Sequence, residues 1–248
     1  MLAMQSAERP VARAPGPISQ ALTRLLMKRA TVSAVEQLAG PFRLITLEGP
    51  ALEGVGWTPG QKIQIAMGSA FTARTYTPIE WNPLTGRACI LGYVHGDGPG
   101  SAWVRDVAPG DACDIFGPRS SLDASRMAGP LAVFGDETSI GLAHALAYQD
   151  RSRSVAGYFE VGDAESSCLA SEQLGLDRVA LFGRVPGEAH LDEMLDRLDG
   201  LAAAGASFVL TGKAGTIQQL RRELKRLGVP GNRIATKAYW APGKTGLD

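Results

Sequence analysis

The sequence is poor in cysteine and histidine, has no net charge and contains no long apolar run. Its three cysteines, Cys89, Cys113 and Cys168, are odd in number and too widely spaced for a C-x-x-C pair, which argues against a disulfide framework and a structural zinc. They read as isolated thiols. His95, His144 and His190 form no H-x-x-x-H or H-E-x-x-H pattern, so no metal centre is expected. No stretch approaches the roughly 18 consecutive apolar residues of a membrane span, and Met1 to Gln20 lacks a signal-peptide apolar core. The expectation is a soluble, cytoplasmic, monomeric protein. Its 25 basic residues balance 25 acidic ones, which removes the global electrostatic case for nucleic acid or an anionic membrane as partner.

What is present is an ordinary globular composition, 45% hydrophobic and 20% charged, over 248 residues, enough for two domains. Residues 1–30 read as a tail rich in Ala, Pro and Arg followed by a short amphipathic helix, with Ile18, Leu22, Leu25 and Leu26 at helical spacing and Arg24, Lys28 and Arg29 on other faces. From Thr31 to Gly117, short β-type segments at 31–38, 42–48, 61–66, 71–77, 88–94 and 112–116 alternate with turn residues. Six such strands suggest an antiparallel β-barrel over 31–124. After Gly129, apolar strands at 131–135, 155–161, 179–182, 208–211 and 234–238 alternate with helices near 137–150, 189–203 and 214–227. That order predicts a parallel-sheet α/β domain over 125–248. The zero net charge is uneven: residues 213–244 carry eight basic side chains and one acid, Glu223. Such a run is either a solvated helix face or, beside strand ends, a place for an anionic ligand.

Three segments carry chemistry. Arg74-Thr75-Tyr76-Thr77 ends a barrel strand, offering guanidinium donors for a phosphate, a flat ring for a heterocycle and a hydroxyl for a ring nitrogen. Taken alone it could equally be an exposed strand edge. His95-Gly96-Asp97-Gly98-Pro99-Gly100-Ser101-Ala102-Trp103 is a glycine-rich turn entering a helix from Ser101, a geometry that presents backbone N–H groups to a pyrophosphate. Gly135-Asp136-Glu137-Thr138-Ser139 joins an apolar strand to a helix, where a dinucleotide would meet a parallel sheet.

Taken in order, these segments resemble the siderophore-interacting protein family, FAD-dependent ferric-siderophore reductases of the ferredoxin-reductase-like class. The family's R-x-Y-T and H-G-x-x-G-P-x-S-x-W appear as R-T-Y-T and H-G-D-G-P-G-S-A-W, and its G-D-E-T-A as G-D-E-T-S. The likeness covers residues 31–244. It implies that Arg74, Thr75, Tyr76, Thr77, His95, Gly98, Pro99, Gly100, Ser101 and Trp103 surround FAD. It also implies that Gly135, Asp136, Glu137, Thr138, Gly212 and Lys213 line the NAD(P)H site, with NADPH expected and NADH as the alternative. Tyr239 and Trp240 match the family's G-Y-W-R-x-G and would lie toward the flavin. Three positions depart from the pattern. Ile79 replaces a second arginine, a role Arg119 could take over; Lys213 replaces the glutamate of A-G-E-A; and Ala241 replaces the arginine after the tryptophan, leaving Lys244 as the nearby cation. Lys213 suits either the 2′-phosphate of NADPH or a helix-end partner.

The implied activity is reduction of chelated Fe³⁺ by NAD(P)H through FAD, with Arg119, Lys237 and Lys244 meeting an anionic ferric chelate. No acid–base catalyst is expected, because hydride and electron transfer place no such demand on the protein. Two other functions fit the same residues: a flavin reductase exchanging electrons with ferredoxin or another small acceptor, and a non-enzymatic siderophore carrier that retains the fold.

Overall fold

The computed structural model describes residues 27–69 and 72–243. The expected tail and most of the expected first helix, with Lys244, lie outside the described residues. Lys28 and Arg29, expected on that helix, instead open the first strand, where Arg29 pairs with Asp114 at 3.2 Å.

Seven strands form the first sheet: β1 (Lys28–Ala39), β2 (Phe42–Glu48), β3 (Lys62–Ser69), β4 (Thr72–Tyr76), β5 (Pro78–Asn82), β6 (Arg87–Tyr93) and β7 (Ala112–Arg119). Their order is β4-β3-β7-β1-β2-β6-β5, and every pairing is antiparallel. The two edge strands, β4 and β5, are consecutive in the chain and separated by Thr77 alone, so the sheet curls until its edges meet at that residue. The expected six strands are therefore seven. The strand not expected is β5, which follows the expected 71–77 segment directly and opens on Pro78, a residue without the N–H needed to carry a ladder onward. Period-two burial fills the barrel with Val32, Ile45, Leu47, Ile63, Ile65, Ile90 and Ile115, all fully buried. Helix α1 (Pro99–Asp106) packs against the barrel, with Pro99 at its first position and the Arg43 guanidinium on the carbonyls of Val104, Arg105 and Val107 at its other end.

The second sheet holds β8 (Leu131–Asp136), β9 (Val155–Val161), β10 (Val179–Gly183), β11 (Ser207–Lys213) and β12 (Ile234–Trp240), in the order β10-β9-β8-β11-β12 with all pairings parallel. Strand β8, buried at every position, is central. The order reverses between β8 and β11, and in such sheets ligands occupy the crevice outside the strand carboxyl ends at that reversal. Helices α2 (Ile140–Gln149) and α3 (Ala164–Gln173) cover one face; α4 (His190–Ala203) and α5 (Ala214–Arg226) cover the other. Helix α3 was not expected from the sequence. Its buried residues are the small Ser167, Ala170 and Ser171, so it has no apolar stripe to betray it.

One core cluster crosses between the sheets. It joins Ala39 and Phe42 of the barrel to Leu131, Ile140, Phe159 and Val209, and takes in Leu122, Ala124 and Met127 of the connecting segment. Arg153 fastens that segment by donating to the carbonyls of Ala124, Met127 and Gly129.

Candidate functional site

The barrel seam and the start of α1 form one surface. Arg74 and Tyr76 lie opposite Ile65 and Ile63, on the same side of β4, and Thr75 points the other way and is exposed. The Tyr76 hydroxyl donates to the Gly100 carbonyl at 3.2 Å, and its ring meets Trp103 at 5.4 Å. Burial pushes the Tyr76 phenol well above the usual tyrosine range, so it remains a neutral donor. Gly100 is needed for this approach: a Cβ there would stand 3.2 Å from Arg74 Cγ and 3.4 Å from the Tyr76 hydroxyl. Arg74 is thereby brought across the first turn of α1. Gly98 is the N-cap residue and no side chain caps that turn, an arrangement of first-turn amides at Gly100 and Ser101 that favours an anion. The Ser101 hydroxyl has a different task. It accepts from the His95 amide at 3.0 Å and donates to the His95 carbonyl at 2.5 Å, closing the exposed 95–98 turn. The His95 ring stacks on Tyr93 at 5.7 Å.

At the strand ends of the second sheet, the expected acidic residues are buried. Asp136, fully buried, accepts from the Thr138 amide at 2.9 Å, from the Thr138 hydroxyl at 2.5 Å and from Trp240 Nε1 at 2.7 Å. Burial drives its carboxyl above the ordinary value, against the pull of those donors. Gly135 precedes it at the end of β8, and Gly212 abuts it: a Cβ on Gly212, whose φ is +87°, would collide with the carboxylate. Glu137 accepts from Tyr93 at 3.1 Å, from the Gly162 amide at 2.7 Å and from both Nη atoms of Arg184 at 2.8 and 2.7 Å. Burial would raise its carboxyl, but Arg184 and the Gly162 amide hold it below the ordinary glutamate range. Burial and the Glu137 charge in turn push the Tyr93 phenol up to about 12. Glu160, also fully buried, lies 3.5 Å from Arg184 Nε and 3.2 Å from His190 Nε2, and accepts from the Thr216 hydroxyl.

The two surfaces meet at the last strand. Tyr239 is hydrogen-bonded to Thr77 of the barrel seam and to Thr211 of β11, and burial pushes its phenol up to about 12. Its neighbour Trp240 reaches Asp136. Two consecutive residues therefore tie the barrel corner to the crevice at the sheet reversal.

Residues 68–122 match the family model described as the siderophore-interacting FAD-binding domain. The uncapped α1 terminus, the Arg74 side chain that crosses it at Gly100 while its Nη1 donates to the Ala73 carbonyl at 2.8 Å, and the Tyr76 ring suit the phosphate and the ring of a flavin. The NADPH-dependent ferric-chelate reductase of Escherichia coli strain K12 is 28% identical over 120 residues, 40% of this chain and 47% of that protein, so the match spans about half of the relative. Among solved structures, a siderophore utilization protein from T. fusca superimposes with a TM-score of 0.70 at 22% identity, covering 90% of this chain and 95% of that one. The siderophore-interacting protein SipS from Aeromonas hydrophila gives a TM-score of 0.69 at 23% identity, with 89% and 93% covered. Phthalate dioxygenase reductase gives 0.72 at 17% identity, with 88% and 70% covered. The fold is that of the ferredoxin-reductase-like proteins.

The remaining expected site residues are spread over both sheets. Ile79 is buried on β5, and it packs so closely on α2 that a Cβ at Gly141 would stand 2.8 Å from its Cγ2. The second arginine of the family pattern thus gives way here to a contact between barrel and helix. Arg119 donates to Gln64 at 2.7 Å and lies 4.5 Å over the Phe116 ring. Lys237, in register beside Thr211, shares the barrel-side face of its sheet with Ala235. Lys213 donates to Glu188 at 2.5 Å, the helix-end partner among its two expected roles. Sequence reasoning missed Arg184 and Glu160. Both stand at the ends of apolar strands, and that position was the available signal.

Proposed function

We propose that the protein is an FAD-dependent NAD(P)H oxidoreductase that reduces Fe³⁺ held in a siderophore or similar anionic chelate. The observation that carries this reading is the pair of hydrogen bonds that Tyr239 shares with Thr77 and Thr211, which joins the R-T-Y-T segment of the barrel to the strand-end crevice of the parallel sheet. FAD, when bound, supplies the conversion of one hydride into two single electrons. Overall, one NAD(P)H and two Fe³⁺ give NAD(P)⁺, H⁺ and two Fe²⁺. The chain's own part is placement. Arg74 and the α1 amides would hold the FAD phosphates, Tyr76 would offer its ring, and Thr77 is tied to Tyr239.

For the chelate, Lys237 on the barrel-side face is the favoured cation, with Arg119 and Lys244 as further contacts. Reduction lowers the metal's charge and with it the Coulombic hold of an oxygen-donor ligand, so iron leaves without the chelator being destroyed. The test is an anaerobic assay of the FAD-loaded protein with a ferrous-iron trap, across catecholate, hydroxamate and citrate chelates. Trapped Fe²⁺ at two per NAD(P)H oxidised is expected. Dinucleotide oxidation without Fe²⁺ from any chelate would refute the ferric-reductase reading.

A further inference from the structure

The strand-end crevice is walled on one side by the turn after β10 and on the other by the start of α5. Glu188 lies in that turn with φ at 60°, the one non-glycine residue with positive φ among the described residues. A glutamate gains nothing intrinsic from this conformation, and such backbone strain persists where surrounding contacts impose it, often at functional sites. Here the Glu188 amide donates to the Val185 carbonyl at 3.1 Å, closing the turn, and the side chain is held by an ion pair. The half-exposed Glu188 carboxylate meets Lys213 Nζ at 2.5 Å, while the Lys213 side chain is only 18% exposed. The ammonium is thus paired with the carboxylate, and Lys213 holds the Glu188 carboxyl below its ordinary value.

The crevice's other cation is engaged as well. Arg184 is held at both Nη atoms by Glu137, and its Nε lies 3.5 Å from Glu160. Glu137, Glu160 and Glu188 thus outnumber Arg184 and Lys213 at the strand ends. A 2′-phosphate entering here must compete with a carboxylate for either cation and is repelled by the excess acid. A free ribose 2′-hydroxyl has the opposite requirement: it needs an acceptor, the part an acidic side chain plays in NAD-selective crevices.

We propose that Glu188 selects the dinucleotide, so that the protein takes NADH in preference to NADPH. This rests on the reading of the crevice as a dinucleotide site. The experiment is calorimetric titration of the FAD-loaded protein with 5′-AMP and 2′,5′-ADP, the two adenylate halves, and with NAD⁺ and NADP⁺. The unmodified protein should bind 5′-AMP and NAD⁺ about tenfold or more tightly than their 2′-phosphorylated counterparts, roughly the effect of one charge-assisted contact. Glu188→Gln should abolish the preference and raise 2′,5′-ADP affinity about tenfold, by freeing Lys213. Adding Lys213→Met should cancel that gain. Glu188→Gly removes the carboxylate while relieving the left-handed backbone, so it gives the same answer free of strain. Tighter binding of 2′,5′-ADP by the unmodified protein, or an unchanged ratio in both Glu188 variants, overturns the selection and leaves the dinucleotide site standing. Binding of none of the four compounds to flavin-loaded protein overturns both.

Discussion

The Trp240 indole donates to Asp136 Oδ2 at 2.7 Å, joining the last strand of the chain to the end of the first strand of the parallel sheet. Because burial raises the Asp136 carboxyl above its ordinary 3.8, the native state keeps a proton that the unfolded chain has released. Stability therefore falls as pH rises from the unfolded value through the raised native one. Trp240→Phe removes a donor to the charged form and raises that carboxyl further. We expect a loss of about 1–2 kcal/mol at pH 7 that shrinks toward acid pH, read from urea unfolding midpoints.

Arg184 and Glu137 behave in the opposite sense. Glu137 is held below its ordinary 4.5, so its contribution is present above the unfolded value and disappears as pH falls through the native one. Arg184→Ala leaves a buried carboxylate without its guanidinium and should cost about 3–5 kcal/mol at neutral pH. The same unfolding series should show a smaller cost at acid pH, where Glu137 is protonated, and Arg184→Lys should recover part of the loss.

Arg74→Ala should weaken flavin retention without unfolding the barrel. Loss of one charge-assisted phosphate contact corresponds to roughly 1.5–3 kcal/mol, or about tenfold to more than a hundredfold in FAD affinity. The ratio of flavin to protein absorbance after gel filtration, followed by FAD titration, measures it. Unchanged occupancy would count against Arg74 as a phosphate ligand.

Ile79→Arg tests whether the family's second arginine can be restored. Ile79 is 2% exposed against Gly141, so the substitution buries a charge in a packed contact and should lower stability by several kcal/mol. Ile79→Val should cost only about 0.5–1.5 kcal/mol. Thermal melts of the two variants separate a packing role from a missing ligand.

How much the sequence discloses depends on the range of the interaction. The strands of the parallel sheet were legible because Leu131–Asp136 and Ser207–Lys213 are apolar runs bounded by turns, a local signal. The barrel seam was less so: β5 opens on Pro78 and was not expected, and only the ladder shows that Asn82 pairs with Arg87 while Tyr76 pairs with Ile63. The glycine-rich turn entering a helix was legible as spacing, but the use of the Ser101 hydroxyl to close its own loop was not. Least legible were the charged pairs. Glu137 and Arg184 are 47 residues apart, and Lys213 and Glu188 are 25 apart, so neither partnership leaves a periodic trace.

The core that joins Phe42 of the barrel to Phe159 of the parallel sheet, through Leu122 and Met127 of the connector, has a consequence for how the molecule can be divided. A cut anywhere along the connector would not release two finished halves, because each would be left with part of the other's interior open to water. The two sheets are separate in topology but cohesive in energy. A shared apolar core of this kind favours one relative placement of the two sheets over hinge motion.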